Sequence, residues 1–142
     1  MTSLPDTLRR QIEVATIKTA NNKTMYLQIC ISYSGSQDVV QAVRHIAKEA
    51  KEGRLRPEDI NENHISERLR TNVLSNCDGL ANNGHPDMFI RTSGVLRLSD
   101  FMLWELQYAE LYFSNKLWPD FDQNDLETAL EEFSMRKRRY GK

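Results

Sequence analysis

The chain has 142 residues, 19 Lys+Arg against 20 Asp+Glu, and a formal net charge of −1; hydrophobic residues make up 39% and charged residues 27%, the balance of a soluble globular domain. The near-zero charge excludes wrapping of nucleic acid by bulk electrostatics, and no apolar run approaches the roughly 20 residues that cross a bilayer. Cys30 and Cys77 are too few for a disulfide framework or a zinc site, and Met1-Thr-Ser-Leu-Pro-Asp6 lacks the basic then apolar stretch of a secretory signal, so an intracellular chain with reduced thiols is expected.

Ser3-Leu-Pro-Asp6 predicts a helix entry capped by Ser3, with Leu8, Ile12 and Ala15 on one face. Asn21-Asn-Lys23 breaks that pattern. Tyr26 to Tyr33 is apolar and β-prone, which predicts a strand buried on both sides. After the turn Ser34-Gly-Ser36, a helical period from Gln37 turns Val39, Val43, Ile46, Ala47 and Ala50 inward, and Gly53 stops it. Pro57 to Asn61 opens a further helix with Ile65 and Leu69 as a thin apolar stripe, and residues 75–86 form a loop.

Met88-Phe-Ile-Arg91 predicts a short strand and Thr92-Ser-Gly94 a turn. Ser99 or Asp100 then caps an apolar helix running to Phe113, and Lys116-Leu-Trp118 predicts a third strand ended by Pro119. The last helix begins near Asp122, buries Leu126, Leu130 and Phe133, and ends in Arg136-Lys-Arg-Arg139, where cations suit a helix C-terminus. Alternating strands and helices with no repeat or linker predict a single α/β unit over 1–142, an incomplete, mostly parallel sheet flanked by helices. Three strands leave the interior-looking first one short of neighbours, so the sheet is expected to belong to a larger domain.

The stretch Pro86 to Asp100 carries the chemistry. Arg91 ends a strand, Gly94 permits a tight turn, and Arg97 and Ser99 lead directly into a helix, whose N-terminus offers free N–H groups and a partial positive charge. Ligands of open α/β sheets bind beyond the carboxyl ends of strands, and paired guanidiniums match phosphate oxygens with forked donors. A phosphate or diphosphate pocket is the sharp expectation; surface ion pairs of both arginines are the bland one. Glu110, flanked by Ala109, Leu111, Tyr112 and Phe113, needs a partner. Two readings stand: an ion pair with an arginine such as Arg91 or Arg97, or a ligand for a hard cation such as Mg²⁺. His45, His64 and His85 have no metal-ligand spacing and read as structural.

Asp87-Met-Phe-Ile-Arg-Thr-Ser-Gly-x-x-Arg97-Leu-Ser-Asp-Phe-Met-Leu-Trp-x-x-x-Tyr-x-Glu110-Leu-Tyr-Phe, followed by Leu117-Trp-Pro-Asp-Phe121, resembles the cis-prenyltransferases, the undecaprenyl and dehydrodolichyl diphosphate synthases. Tyr33-x-Gly35-x-x-Asp38 and Arg138-Arg-Tyr-Gly141 are also similar to family segments. The resemblance covers nearly all of the chain, but only about the C-terminal half of the family's domain.

It implies condensation of isopentenyl diphosphate with an allylic diphosphate to a Z-polyprenyl diphosphate, the chemistry of polyprenol or dolichol lipid carriers. Arg91, Arg97 and Ser99 would hold the diphosphate of isopentenyl diphosphate, and Glu110 would help hold Mg²⁺. Arg139 and Gly141 match a tail that reaches into a neighbouring subunit's site, which implies a homodimer or a heterodimer with a related subunit. No nucleic acid is implied, and membrane association would be peripheral, through the lipid product. Cytoplasm, endoplasmic reticulum surface and plastid all remain open as compartments.

Several positions depart from the family. The Asp-Gly-Asn-x-Arg motif that supplies the catalytic Asp has no counterpart, so the 142-residue chain is expected to be inactive alone. Val95 stands where Glu is usual, Asp100 where Asn is, Glu105 where Gln is, and Ser32 and Ser36 where many members have Asn and Arg; the 75–86 loop reads as long. A non-catalytic partner subunit of a heteromeric complex is the alternative function. Retention of Arg91, Arg97 and Glu110 favours catalytic ancestry, and Val95 pulls the other way.

Overall fold

The computed structural model describes residues 4–72 and 85–137. The chain forms two compact units, Met1–Tyr33 and Ser34–Lys142. In the first, α1 (Asp6–Thr19) starts behind Pro5 without a side-chain cap. The expected cap, Ser3, lies outside the described residues. Asp6 and Arg9 pair at 2.6 Å in the first turn, but no residue of α1 is buried.

The strand expected over Tyr26–Tyr33 is not formed: the segment is irregular, and Leu27 and Ile29 are 76% and 72% exposed. A strand exists only as one side of a ladder. The described sheet has two strands and neither is this segment, so its β-prone composition has no ladder to join. Cys30 is half-buried there, and Cys77 lies outside the described residues.

The second unit opens with α2 (Gly35–Lys51), two residues earlier than expected because Ser34 Oγ accepts the Gln37 N–H and caps it. Gly35, Asp38, Ala42 and Ile46 form its buried line at spacings of three and four. Val43 and Ala47, expected inward, are exposed. The stripe is rotated because Asp38 turns in, where its two carboxylate oxygens accept the Arg70 N–H at 3.1 and 3.2 Å. That pairing satisfies a charge otherwise costly to bury.

After a single 3-10 turn at Pro57–Asp59, the short α3 (Glu62–Ser66) packs on α2. Asn61 caps α3 by accepting the Asn63 N–H at 3.1 Å, and its own N–H donates to His64 Nδ1 at 3.2 Å. Arg68 fixes the pair of helices through Glu49, at 2.6 and 3.0 Å. Leu69 and Leu106 complete the apolar core with Ala42 and Ile46.

The strand expected at Met88–Arg91 is β1, with those bounds. The apolar helix expected over 100–113 is absent. A 3-10 turn, Glu105–Tyr108, and then β2 (Glu110–Phe113) occupy that stretch. Ser99, Asp100 and Met102 sit at φ of 53°, 61° and 47°, the left-handed region, which a right-handed helix cannot include. The Asp100 carbonyl takes the Gly35 N–H at 2.7 Å, and Leu-Tyr-Phe pairs with β1 instead of coiling.

The third strand expected at 116–118 is likewise absent, and Trp118–Asp120 forms a 3-10 turn. The sheet is therefore β1 and β2, parallel, with Met88 opposite Glu110 and Arg91 opposite Phe113. Phe89 anchors one face, its ring centre 6.3 Å from Phe101 and 6.2 Å from Phe113.

The expected last helix is α4 (Gln123–Met135), started by a capping box between Asp122 and Asp125. Lys116 Nζ reaches Asp125 at 2.8 Å and holds the helix start beside the strand pair. Ala129 is its buried residue; Leu126 and Leu130, expected to be buried, are 41% and 50% exposed. No described helix is long and apolar enough to cross a membrane. Helices plus a small parallel sheet are the α/β class the sequence implied, with fewer strands than expected among the described residues.

Candidate functional site

The site begins where β1 ends. Ser114 N–H donates to Arg91 O at 2.8 Å, Ser93 N–H to Lys116 O at 2.7 Å, and Gly94 N–H to Ser114 O at 2.9 Å. These bonds bend residues 92–94 across the end of β2. Ser93 and Gly94 both take positive φ there, 83° and 70°. The chain then returns so that Arg91 Nη1 donates to Ser99 Oγ at 2.7 Å and to the Arg97 carbonyl. Arg91, Ser99 and the Arg97 carbonyl thus meet at the carboxyl end of a parallel strand, without the helix N-terminus that the sequence pattern placed beside them.

Arg97 is exposed, and its side chain takes no hydrogen bond or ion pair among the described residues. Neither arginine is paired with a carboxylate there, so the ion pairs of the bland reading are not formed. The Arg91 guanidinium and the Ser99 hydroxyl, with no acidic partner there, can accept an anion with several oxygens, and the exposed Arg97 side chain starts from the backbone that Arg91 holds.

Asp100 follows Ser99 in the chain and is bonded to the start of α2. Its carboxylate accepts from Ser36 N–H at 2.9 Å, from Ser36 Oγ–H at 2.5 Å, and from the Ser34 hydroxyl. The Ser34 and Ser36 bonds hold its carboxyl below the usual carboxylate range. Gly35 lets the segments approach: a Cβ on it would stand 3.0 Å from both the Asp100 carbonyl oxygen and the Leu103 nitrogen. No local sequence pattern foretells the meeting of Asp100 with the start of α2, more than sixty positions away.

Glu110 lies elsewhere. Opposite Met88 at the start of β2, it is three residues, roughly 10 Å, along the pair from the Arg91 end. By strand alternation it shares a face with Met88, Ile90 and Tyr112, whereas Arg91 shares the other with Phe89 and Phe113. Its carboxylate accepts from Arg136 Nη1 at 3.2 Å. The ion pair of the bland reading is therefore present, but with Arg136 in place of Arg91 or Arg97. The expected convergence of Glu110 with the two arginines around one hollow does not occur within this chain.

Two hollows are lined by none of Arg91, Arg97, Ser99 and Glu110: a small one of about 10 Å³ at Thr71, His85 and Glu105, and a shallow one of about 330 Å³ along Ser36, Val40 and Arg44. Among the described residues no three His, Cys, Asp or Glu side chains gather as a metal site. Arg139 and Gly141 lie outside the described residues. Glu105, placed on a helix by the sequence pattern, is buried and accepts the Thr71 hydroxyl, while His85 Nδ1 meets its carbonyl at 3.2 Å.

A family model described as putative undecaprenyl diphosphate synthase matches residues 1–141. The isoprenyl transferase of Chlorobaculum tepidum is 44% identical over 142 residues, all of this chain and 50% of that protein. Dehydrodolichyl diphosphate synthase 2 of Arabidopsis thaliana is 44% identical over 138 residues, 97% of this chain and 42% of that protein. Lavandulyl diphosphate synthase from Lavandula x intermedia, solved with dimethylallyl diphosphate, superposes with a TM-score of 0.90 at 38% identity, over 99% of this chain and 57% of that one. The chain thus spans about half the length of the relatives it matches. Sequence and fold agree, and the chain belongs to the undecaprenyl diphosphate synthase family, the cis-prenyltransferases.

Proposed function

We propose that this chain is the C-terminal part of a single cis-prenyltransferase domain and that Arg91, Arg97 and Ser99 hold the diphosphate of isopentenyl diphosphate. The carrying observation is the meeting of Arg91 Nη1, Ser99 Oγ and the Arg97 segment at the end of β1 with no carboxylate among them. The reaction joins isopentenyl diphosphate to an allylic diphosphate: the allylic C–O bond breaks, a C–C bond forms, and inorganic diphosphate and a proton leave. Fixed cations that grip one anion orient its double bond toward the allylic carbon, and such positioning supplies much of the rate.

Magnesium is proposed from the family resemblance, with Glu110 as the carboxylate this chain supplies. Mg²⁺ asks for only one or two carboxylates beside phosphate oxygens and water, and when bound it would neutralise a leaving diphosphate. The described residues do not hold the ion by themselves: Glu110 is a lone carboxylate engaged by Arg136. Arg139 and Gly141 are proposed to reach the site of a second subunit, identical or related, and the product to be the lipid that brings the enzyme to a membrane surface.

Val95, half-buried where the family pattern has Glu, favours a second reading, a non-catalytic partner subunit. Titration of the chain with isopentenyl diphosphate separates the two. The first predicts saturable binding that Arg97→Ala weakens by tenfold or more, on the order of one lost charged contact. Absence of binding would favour the second.

A further inference from the structure

We infer that Asp100 is a positioning residue for the diphosphate loop: anchored on the first turn of α2, it holds Ser99 in the conformation that presents the Ser99 hydroxyl to Arg91. The inference rests on the proposed role of Arg91, Arg97 and Ser99. Ser99 and Asp100 both take left-handed φ, 53° and 61°, a region that side-chain-bearing residues leave unless something holds them. What holds them is a four-donor clamp. Gly35 N–H binds the Asp100 carbonyl at 2.7 Å; Ser36 N–H, Ser36 Oγ–H and the Ser34 hydroxyl bind its carboxylate.

One residue earlier in the chain, Ser99 Oγ stands 2.7 Å from Arg91 Nη1. The clamp also solves an electrostatic problem. A loose carboxylate next to Arg91 and Arg97 would compete with an incoming diphosphate for the same donors. With both oxygens of Asp100 engaged by Ser34 and Ser36, the negative charge is satisfied at the helix start and the guanidiniums stay available. Asp100 touches no substrate in this account. It acts through Ser99 and Arg91.

Isothermal titration of the full chain with inorganic pyrophosphate tests this, with circular dichroism to show that each variant is folded. Asp100→Ala is expected to weaken binding about tenfold, the scale of a small displacement in a positioned site. Asp100→Asn should bind within about twofold of wild type, since an amide still accepts from Ser36 and can pair with the Ser34 hydroxyl. Ser34→Ala/Ser36→Ala, which leaves Asp100 in place, should weaken binding in the same direction. On a Ser99→Ala background, Asp100→Ala should cost less than it does alone. Wild-type affinity in folded Asp100→Ala or in the double serine variant, beside a defective Arg97→Ala, overturns the inference alone. No binding by wild type, or wild-type affinity in Arg97→Ala, overturns the diphosphate reading beneath it.

Discussion

Glu110 and Arg136 meet at 3.2 Å across 26 positions of sequence, and Arg136 Nη1 also donates to the Leu111 carbonyl at 2.9 Å. The two bonds tie the end of α4 to the start of β2. Arg136→Ala should therefore lower stability by about 1 kcal/mol, since both groups are partly solvated. Urea unfolding would show it as a lower midpoint at unchanged slope; an unaltered midpoint would mean that the pair is ornamental.

The close approach at Gly35 gives a sharper test. A methyl there meets two backbone atoms at 3.0 Å, neither of which can swing aside as a side chain would. Gly35→Ala is expected to cost about 1–3 kcal/mol and to weaken pyrophosphate binding together with stability. A variant as stable as wild type would show that α2 and the 99–103 segment are not held this tightly.

Acid should loosen the second unit through two carboxylates. The Arg68 guanidinium holds Glu49 below its ordinary value, and the Ser34 and Ser36 bonds do the same for Asp100. A depressed carboxyl contributes its stability in full above the unfolded value of about 4, and loses it as pH falls through the lower folded value. Wild type should exceed Glu49→Gln in stability at pH 7, and the gap should close as pH falls below the ordinary carboxylate range. A gap that stays constant with pH would contradict the assignment.

Ile46, on the buried line of α2, carries the packing prediction. Ile46→Ala should cost about 2–5 kcal/mol, because a nearly enclosed side chain is removed. Val43→Ala, one turn position away and exposed, should cost well under 1 kcal/mol. Equal losses, read by thermal melting, would refute the rotated stripe.

Local chemistry made some of the fold legible. Met88–Arg91 was readable to the residue because a β-prone run ends at Thr-Ser-Gly, and the start of α4 because Asp122 and Asp125 form their cap within one turn. Residues 100–113 were not readable that way. Their apolar density suits a buried helix, but the left-handed turn at Ser99–Met102 is clamped by Ser34, Gly35 and Ser36, more than sixty positions earlier. Tyr26–Tyr33 shows the converse, since composition can favour a strand that only a neighbouring strand can realise. The meeting of Arg91 with Ser99 and the Arg97 carbonyl is local, because a strand end, a turn and a return lie within nine residues. Glu110 was misplaced with the helix that carried it, and its partner Arg136 lies on a separate element.

The central claim is that Arg91, Arg97 and Ser99 form one diphosphate-binding group. Its most direct measurement is the affinity of the chain for inorganic pyrophosphate across salt concentration, compared with Arg91→Ala and Arg97→Ala. The account predicts saturable, salt-sensitive binding that each substitution weakens by about tenfold or more. Binding that neither substitution alters, or no binding at low salt, would contradict it.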